Sequence, residues 1–229
     1  MSDSARYAIY AAPPAGSALA VFGASWLGYD AETGRAVPPP IVAGLMPERW
    51  DELTRRARHY GFHGTFKAPF ALADGTTAED LAEAASAFAA GRAPFDLPLG
   101  LARIGGFLAL TPAEQRPALN DLANGCVEGF ERFRRPETPE QVAKRRAGLT
   151  ARQSAHLDRW GYPYVFEDYR FHMTLTDPLP DDESDRLQAA LAGLLEPLLA
   201  LPLRIDALCL FRQADRAAPF RLIRRVPLG

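Results

Sequence analysis

The stretch YGFHGTFKAPF, residues 60–70, reads as a strand with one unexpected face. Side chains of a strand alternate between its two sides. Phe62, Gly64 and Phe66 then point one way, and His63, Thr65 and Lys67 the other. A polar face of this kind is either a solvated sheet surface or half of a site. A second stretch supplies the other half. In YRFHMTLTDPL, residues 169–179, Phe171, Met173 and Leu175 share one face, while His172, Thr174 and Thr176 share the opposite one, with Arg170 expected beside them. The chain therefore carries two strands with the same His-x-Thr face.

The elements around these strands repeat in order. The His63 strand is followed by a helix, LPLGLARIGG (residues 97–106) and a strand. The His172 strand is followed by a helix, LPLRIDALCL (residues 201–210) and a strand. Leu-Pro-Leu, at 97–99 and 201–203, marks the same place in each copy. Pseudo-twofold packing of the copies brings both polar faces to one cleft. Residues 113–160 are helical, belong to neither copy, and read as an insertion or connector within a single domain spanning 1–229.

The remaining elements follow from ordinary start and stop signals. Residues 6–13 are a strand ended by Pro13-Pro14, and residues 17–28 a helix closed by Gly28. Residues 47–61 are a helix with proline and acids early and arginines late, matching the helix dipole. Residues 76–91 are a helix with a threonine cap and a glycine stop. Gly105-Gly106 signals a hairpin, residues 183–200 are a helix, and two strands close the chain.

Composition narrows the function. The 229 residues are 48% hydrophobic and 24% charged, enough for a substantial core, and the formal net charge of −2 argues against a binder of bulk polyanions. Cys126 and Cys209 show no metal-ligand spacing, which argues for a reducing compartment and against structural zinc. No apolar signal core or membrane-length run occurs, so a cytoplasmic monomer that avoids membranes is expected.

Paired histidines and threonines suit attack on a phosphodiester without a metal. One neutral imidazole takes a proton from the attacking water or hydroxyl, and one protonated imidazole gives a proton to the leaving oxygen. Each threonine hydroxyl donates to a non-bridging oxygen, where charge builds. A lone strand histidine is usually structural, and a lone threonine is an ordinary strand former; the matched repeat lifts His63, Thr65, His172 and Thr174 out of that background. Lys67, Arg170, Thr176 and Tyr7 are candidate substrate contacts, with Tyr10 divided between cleft and core. His59 and His156 read as solvated helix faces. So does the basic cluster Arg134, Arg135, Lys144, Arg145 and Arg146, unless it caps the cleft and binds a second phosphate.

FHGTFK and FHMTLT resemble the two motifs of the two-histidine (2H) phosphoesterase superfamily. RYAIYAAP, WLGYDAETG, RRPETPEQVAKRRAGLT, RWGYPYVFEDYRFHMTLT and LCLFRQ extend the resemblance along nearly the whole chain to the branch encoded with phosphonate-utilisation genes. Many relatives carry alanine where this chain has Gly64. The resemblance implies a bilobal α+β fold, with two pseudo-twofold-related antiparallel sheets flanked by helices about a central cleft. It implies no metal and no organic cofactor, and a cyclic phosphodiesterase acting on a small phosphorylated sugar or nucleotide. The alternatives are an RNA-end 2′,3′-cyclic phosphodiesterase or ligase, and a non-catalytic cyclic-nucleotide-binding module. The first is disfavoured because no basic, aromatic-interleaved groove is evident. The second is disfavoured because binding alone does not require a paired acid and base. A metallohydrolase lacks ligands at suitable spacings.

Overall fold

A computed structural model describes residues 5–229. β1 (Arg6–Ala11) enters the centre of the molecule, and α1 (Ala18–Leu27) follows it. Ser17 caps α1 by accepting from the Ala20 amide, and Gly28 ends it at φ 71°. A small hairpin, β2 (Tyr29–Asp30) and β3 (Arg35–Ala36), leads to α2 (Pro47–Tyr60). β4 (Gly64–Ala71) carries the first motif, and α3 (Ala78–Ala89) begins with a reciprocal Thr77–Asp80 capping box. Next come β5 (Phe95–Leu97) and the hairpin of β6 (Leu99–Ile104) and β7 (Phe107–Pro112), turning at Gly105-Gly106 as expected. Three helices follow: α4 (Pro117–Gly129), α5 (Pro139–Arg145) and α6 (Ala151–Trp160). The second motif holds β8 (Met173–Thr174), and α7 (Asp181–Leu199), β9 (Leu203–Ile205), β10 (Ala207–Gln213) and β11 (Arg221–Pro227) complete the chain.

The α+β class holds, but the two expected sheets are one. Seven strands run in the order β11-β10-β1-β4-β8-β7-β6. Only one residue pair, Gly64 with Met173, joins β4 to β8. Two halves of a sheet therefore meet at a narrow junction. Pairing there removes two edges that would otherwise expose unsatisfied backbone groups.

The repeat is visible in the registers. β5 and β9 pair antiparallel about Asp96 and Arg204, which also form an ion pair at 3.1 Å. A twofold through that pair equates Phe95 with Leu203 and Leu97 with Ile205. Pro202 thus corresponds to Pro94, and the two Leu-Pro-Leu segments are out of step by four residues. The tripeptides misled because their match is local, whereas the pairing spans the strand.

One sheet face packs against helices. Ile9, Phe66, Phe70, Leu108, Leu110 and Leu210 meet Leu53, Leu81, Leu122, Leu191 and Trp26 in a single core. The other face carries a smaller cluster, including Tyr10, Tyr29, Phe211 and Phe220. The helical region after residue 113 is of two kinds. α4 is core, burying Leu119, Leu122, Cys126 and Val127, whereas α5 buries nothing and α6 buries only Leu157. No helix among the described residues is long and apolar enough to cross a membrane.

Candidate active site

The Gly64–Met173 pair sets the geometry of both motifs. Neighbours of an antiparallel pair oppose one another, so His63 stands across from Thr174, and Thr65 across from His172. Gly64 and Met173 are buried on the helix side, which puts the four flanking side chains on the other face. Directly opposed residues lie about 5 Å apart at Cβ, and diagonal ones, such as the two histidines, about 7–8 Å.

Each imidazole is held in the same manner. His63 Nδ1 lies 2.9 Å from the Gly61 carbonyl, and His172 Nδ1 lies 2.7 Å from the Arg170 carbonyl. A carbonyl only accepts, so in both rings Nδ1 carries a proton and donates, leaving Nε2 for chemistry. The Gly61 carbonyl is aimed by a turn at φ 76°, where an added Cβ would also meet Ala31 Cβ at 2.7 Å. Glycine is required there by conformation and by space.

The surroundings of the two rings differ. Tyr10 stacks on His63 with centroids 3.8 Å apart, and Tyr60 and Phe211 approach within 6.1 and 6.2 Å. Burial pushes His63 down to about 4; the bond to Gly61 opposes this, and His172 adds to it. His63 is therefore neutral near pH 7. The Thr65 hydroxyl lies 3.3 Å from its Nε2. His172 has one aromatic neighbour among the described residues, Phe107 at 5.7 Å and tilted by 54°.

The second motif needs bracing, since its strand is two residues long. Trp26 Nε1 donates to the Leu175 carbonyl at 2.7 Å, and the Tyr169 hydroxyl donates to the Thr65 carbonyl at 2.9 Å. The Leu108 amide donates to Thr176 Oγ1 at 3.0 Å. These bonds replace the ladder that a longer strand would supply.

Three of the expected substrate contacts, Lys67, Thr176 and Tyr7, are placed elsewhere, and the fourth, Arg170, is exposed beside His172. Strict alternation puts Lys67 on the polar face, but the β1–β4 register shifts between Ile9 and Tyr10. Lys67 consequently pairs with core residue Ile9, and its Nζ is buried against the Val127 carbonyl at 2.8 Å and Glu131 at 3.0 Å. A β-bulge re-aims side chains in this way. Thr176 is spent on the Leu108 amide and is 1% exposed. Tyr7 lies in the main core. Arg170 Nη1 donates to the Glu167 and Tyr169 carbonyls, bracing the loop that delivers His172.

The tyrosine that reaches the site is Tyr10, three residues along from Tyr7 and on the opposite strand face. Pairing with Thr65 decides this, and the pairing register is not written in the local sequence. The four arginines of the basic cluster pair with carboxylates: Arg134 with Glu131, Arg135 with Asp74, Arg145 with Glu137, and Arg146 with Asp158. His59 is half-buried and accepts from Gln213 Nε2 at 2.6 Å, and His156 faces Glu167 and Asp168, so neither is a solvated helix face. Tyr162, beyond α6, is half-buried; desolvation and the neighbouring Tyr164 and Tyr60 phenols push it up to about 12.

A family model described as "Protein of unknown function (DUF1045)" matches residues 65–221. A protein of Janthinobacterium sp. (strain Marseille), named "Ribose 1,5-bisphosphate phosphokinase PhnN", is 42% identical over 230 residues, covering 98% of this chain and 51% of that protein. A protein of the same name from Laribacter hongkongensis (strain HLHK9) is 37% identical over 221 residues, covering 96% of this chain and 51% of that protein. The chain spans about half the length of these curated relatives.

Proposed function

The chain belongs to the DUF1045 family, and from that premise we propose that it is a metal-independent cyclic phosphodiesterase of the two-histidine type, acting on a small phosphorylated sugar in phosphonate metabolism. The observation that carries this reading is the in-register pairing of Gly64 with Met173, with each flanking imidazole fixed through Nδ1.

His63 is the general base, because it is neutral and its Nε2 lone pair is available. It takes a proton from water as the water oxygen bonds to phosphorus. Thr65 turns its hydroxyl from His63 to a non-bridging oxygen, and Thr174 donates to another. The ring P–O bond breaks, and His172 protonates the departing alkoxide from Nε2. One water is consumed and one phosphomonoester with a free hydroxyl is formed. The base has gained the proton that the acid has lost, and exchange with solvent restores both.

The relatives' name concerns a kinase for a bisphosphorylated ribose. This chain has only two lysines, Lys67 and Lys144, and neither follows a glycine, so no Gly-x4-Gly-Lys-Ser/Thr phosphate loop is present. We assign the kinase chemistry to the half of the relatives that this chain does not span. Fusion of the two halves supports a related phosphorylated pentose as substrate here.

The test is phosphorus NMR of the purified chain in EDTA, supplied separately with nucleoside 2′,3′-cyclic phosphates, ribose cyclic phosphates and RNA with cyclic ends. Ring opening of a small cyclic phosphodiester, lost in His63→Ala, is expected. Activity abolished by EDTA and restored by a divalent ion would overturn the mechanism. Turnover of RNA ends alone would overturn the substrate class.

A further inference from the structure

β1 leaves the histidines with Tyr10, Ala8 and Arg6 on one face, since alternate strand residues share a side. Arg6 lies four residues from Tyr10, roughly 13 Å along the strand. Its guanidinium is held from three sides. Nε donates to Gln213 Oε1 at 2.7 Å, the group lies over Phe220 at 5.3 Å, and the Tyr60 phenol lies beside it. Tyr60 bridges back to the catalytic face: its ring is 5.3 Å from Phe220 and 6.1 Å from His63.

Gln213 is itself preset. Its amide nitrogen donates to His59 Nε2 at 2.6 Å and to the Ala218 carbonyl at 2.8 Å, so its oxygen is left for Arg6. The arrangement is a rigid cradle for one cation. Among the described residues no carboxylate pairs with that cation, in contrast to Arg49, Arg58 and Arg134. Burial and neighbouring Arg216 both oppose its charge. A half-buried guanidinium whose Nε is bonded to Gln213 is stabilised by an anion that reaches its two remaining nitrogens.

We propose that Arg6, with the Tyr60 hydroxyl, forms a second anion subsite, so that the preferred substrate is a sugar-sized cyclic phosphodiester bearing a further phosphoryl group at its far end. The identity of the group at the histidine end rests on the phosphodiesterase reading; the anion subsite does not. Arg6 acts on affinity and position, not on the bond-breaking step.

The experiment compares adenosine 2′,3′-cyclic phosphate with its 5′-phosphorylated form. The wild type prefers the 5′-phosphorylated probe. Arg6→Gln lowers that preference about 10–100-fold, as expected for loss of a charged hydrogen bond, and the change falls mainly in KM. Tyr60→Phe, which removes one hydroxyl and keeps the ring, lowers it a few-fold and serves where Arg6→Gln does not fold. An unchanged preference in the variant that folds overturns the subsite. Calorimetry with ribose 5-phosphate separates this result from the phosphodiesterase reading. Binding to the wild type and His63→Ala, lost in Arg6→Gln, sustains the subsite even where no cyclic probe is opened. Equal binding to the wild type and Arg6→Gln, or none to either, overturns it.

Discussion

His63 and His172 point Nδ1 at the carbonyl two residues back in the same way, yet one ring is roofed and the other open. His63 lies under Tyr10, beside an eight-residue strand, and burial holds it neutral. His172 precedes a two-residue strand that depends on Trp26, Tyr169 and Thr176 for its place. The difference teaches how a repeat becomes an acid–base pair. Identical side chains titrate alike unless their surroundings separate them. Here desolvation holds His63 neutral, and under the proposed mechanism that assigns it the base's role.

The strongest way to break the comparison is to remove either ring. His63→Ala and His172→Ala each lower kcat by about 10²–10⁴-fold, and the double variant is little worse than the worse single. Steady-state kinetics on a cyclic phosphodiester checks this; either variant retaining more than about a tenth of activity refutes the pairing of roles.

The threonines sharpen it. Thr65→Ala and Thr174→Ala lower kcat by about 10–10³-fold. Thr65 is bonded to His63, whereas Thr174 makes no side-chain hydrogen bond among the described residues. Thr65→Ala should therefore also shift the acid limb of the pH–rate profile, and Thr174→Ala should not.

The roof over His63 has a cost that depends on pH. Its folded value, about 4, lies below the ordinary 6.5, so the unfolded chain binds more protons between those limits. Stability then rises with pH through that window and falls as pH drops from about 6.5 toward 4, by up to about 3 kcal/mol. Urea titrations at several pH values measure the slope, and His63→Gln should flatten it. An unchanged slope in that variant would show that His63 is not held neutral by burial.

The smallest effect concerns the residue between His63 and Thr65. A Cβ on Gly64 would fall 2.3 Å from the Phe171 ring, so Gly64→Ala obliges that ring to move. Overpacking of this kind costs about 1–3 kcal/mol. Thermal denaturation should show the loss, with kcat lowered less than by either threonine change. A more stable Gly64→Ala would mean that Phe171 repacks freely and that the junction between the halves is looser than drawn.

Much of this was legible before the fold. The twin His-x-Thr patterns, the Gly28 stop, the threonine cap at 77 and the glycine turn at 105–106 are local, and local rules of periodicity and hydrogen bonding found them. Lys67 was misplaced because alternation presumes an unbroken ladder, and the bulge opposite Ile9 and Tyr10 breaks it. Tyr7 and Tyr10 were indistinguishable in sequence because both are tyrosines on one strand with apolar neighbours. Thr176 resembled a continuation of its motif, but an amide across the sheet had claimed its oxygen.

By itself, then, the sequence determined which side chains alternate with which, where helices begin, and that two copies of one motif exist. Those properties depend on neighbours within a few positions, where backbone sterics and strand or helix period act directly. Only the tertiary structure decided that the two halves share one sheet, that Tyr10 roofs His63, that Lys67 turns to Glu131, and that Arg6 is held over Phe220. Register, desolvation and long-range pairing arise from residues brought together across the chain, and no short window of sequence contains both partners.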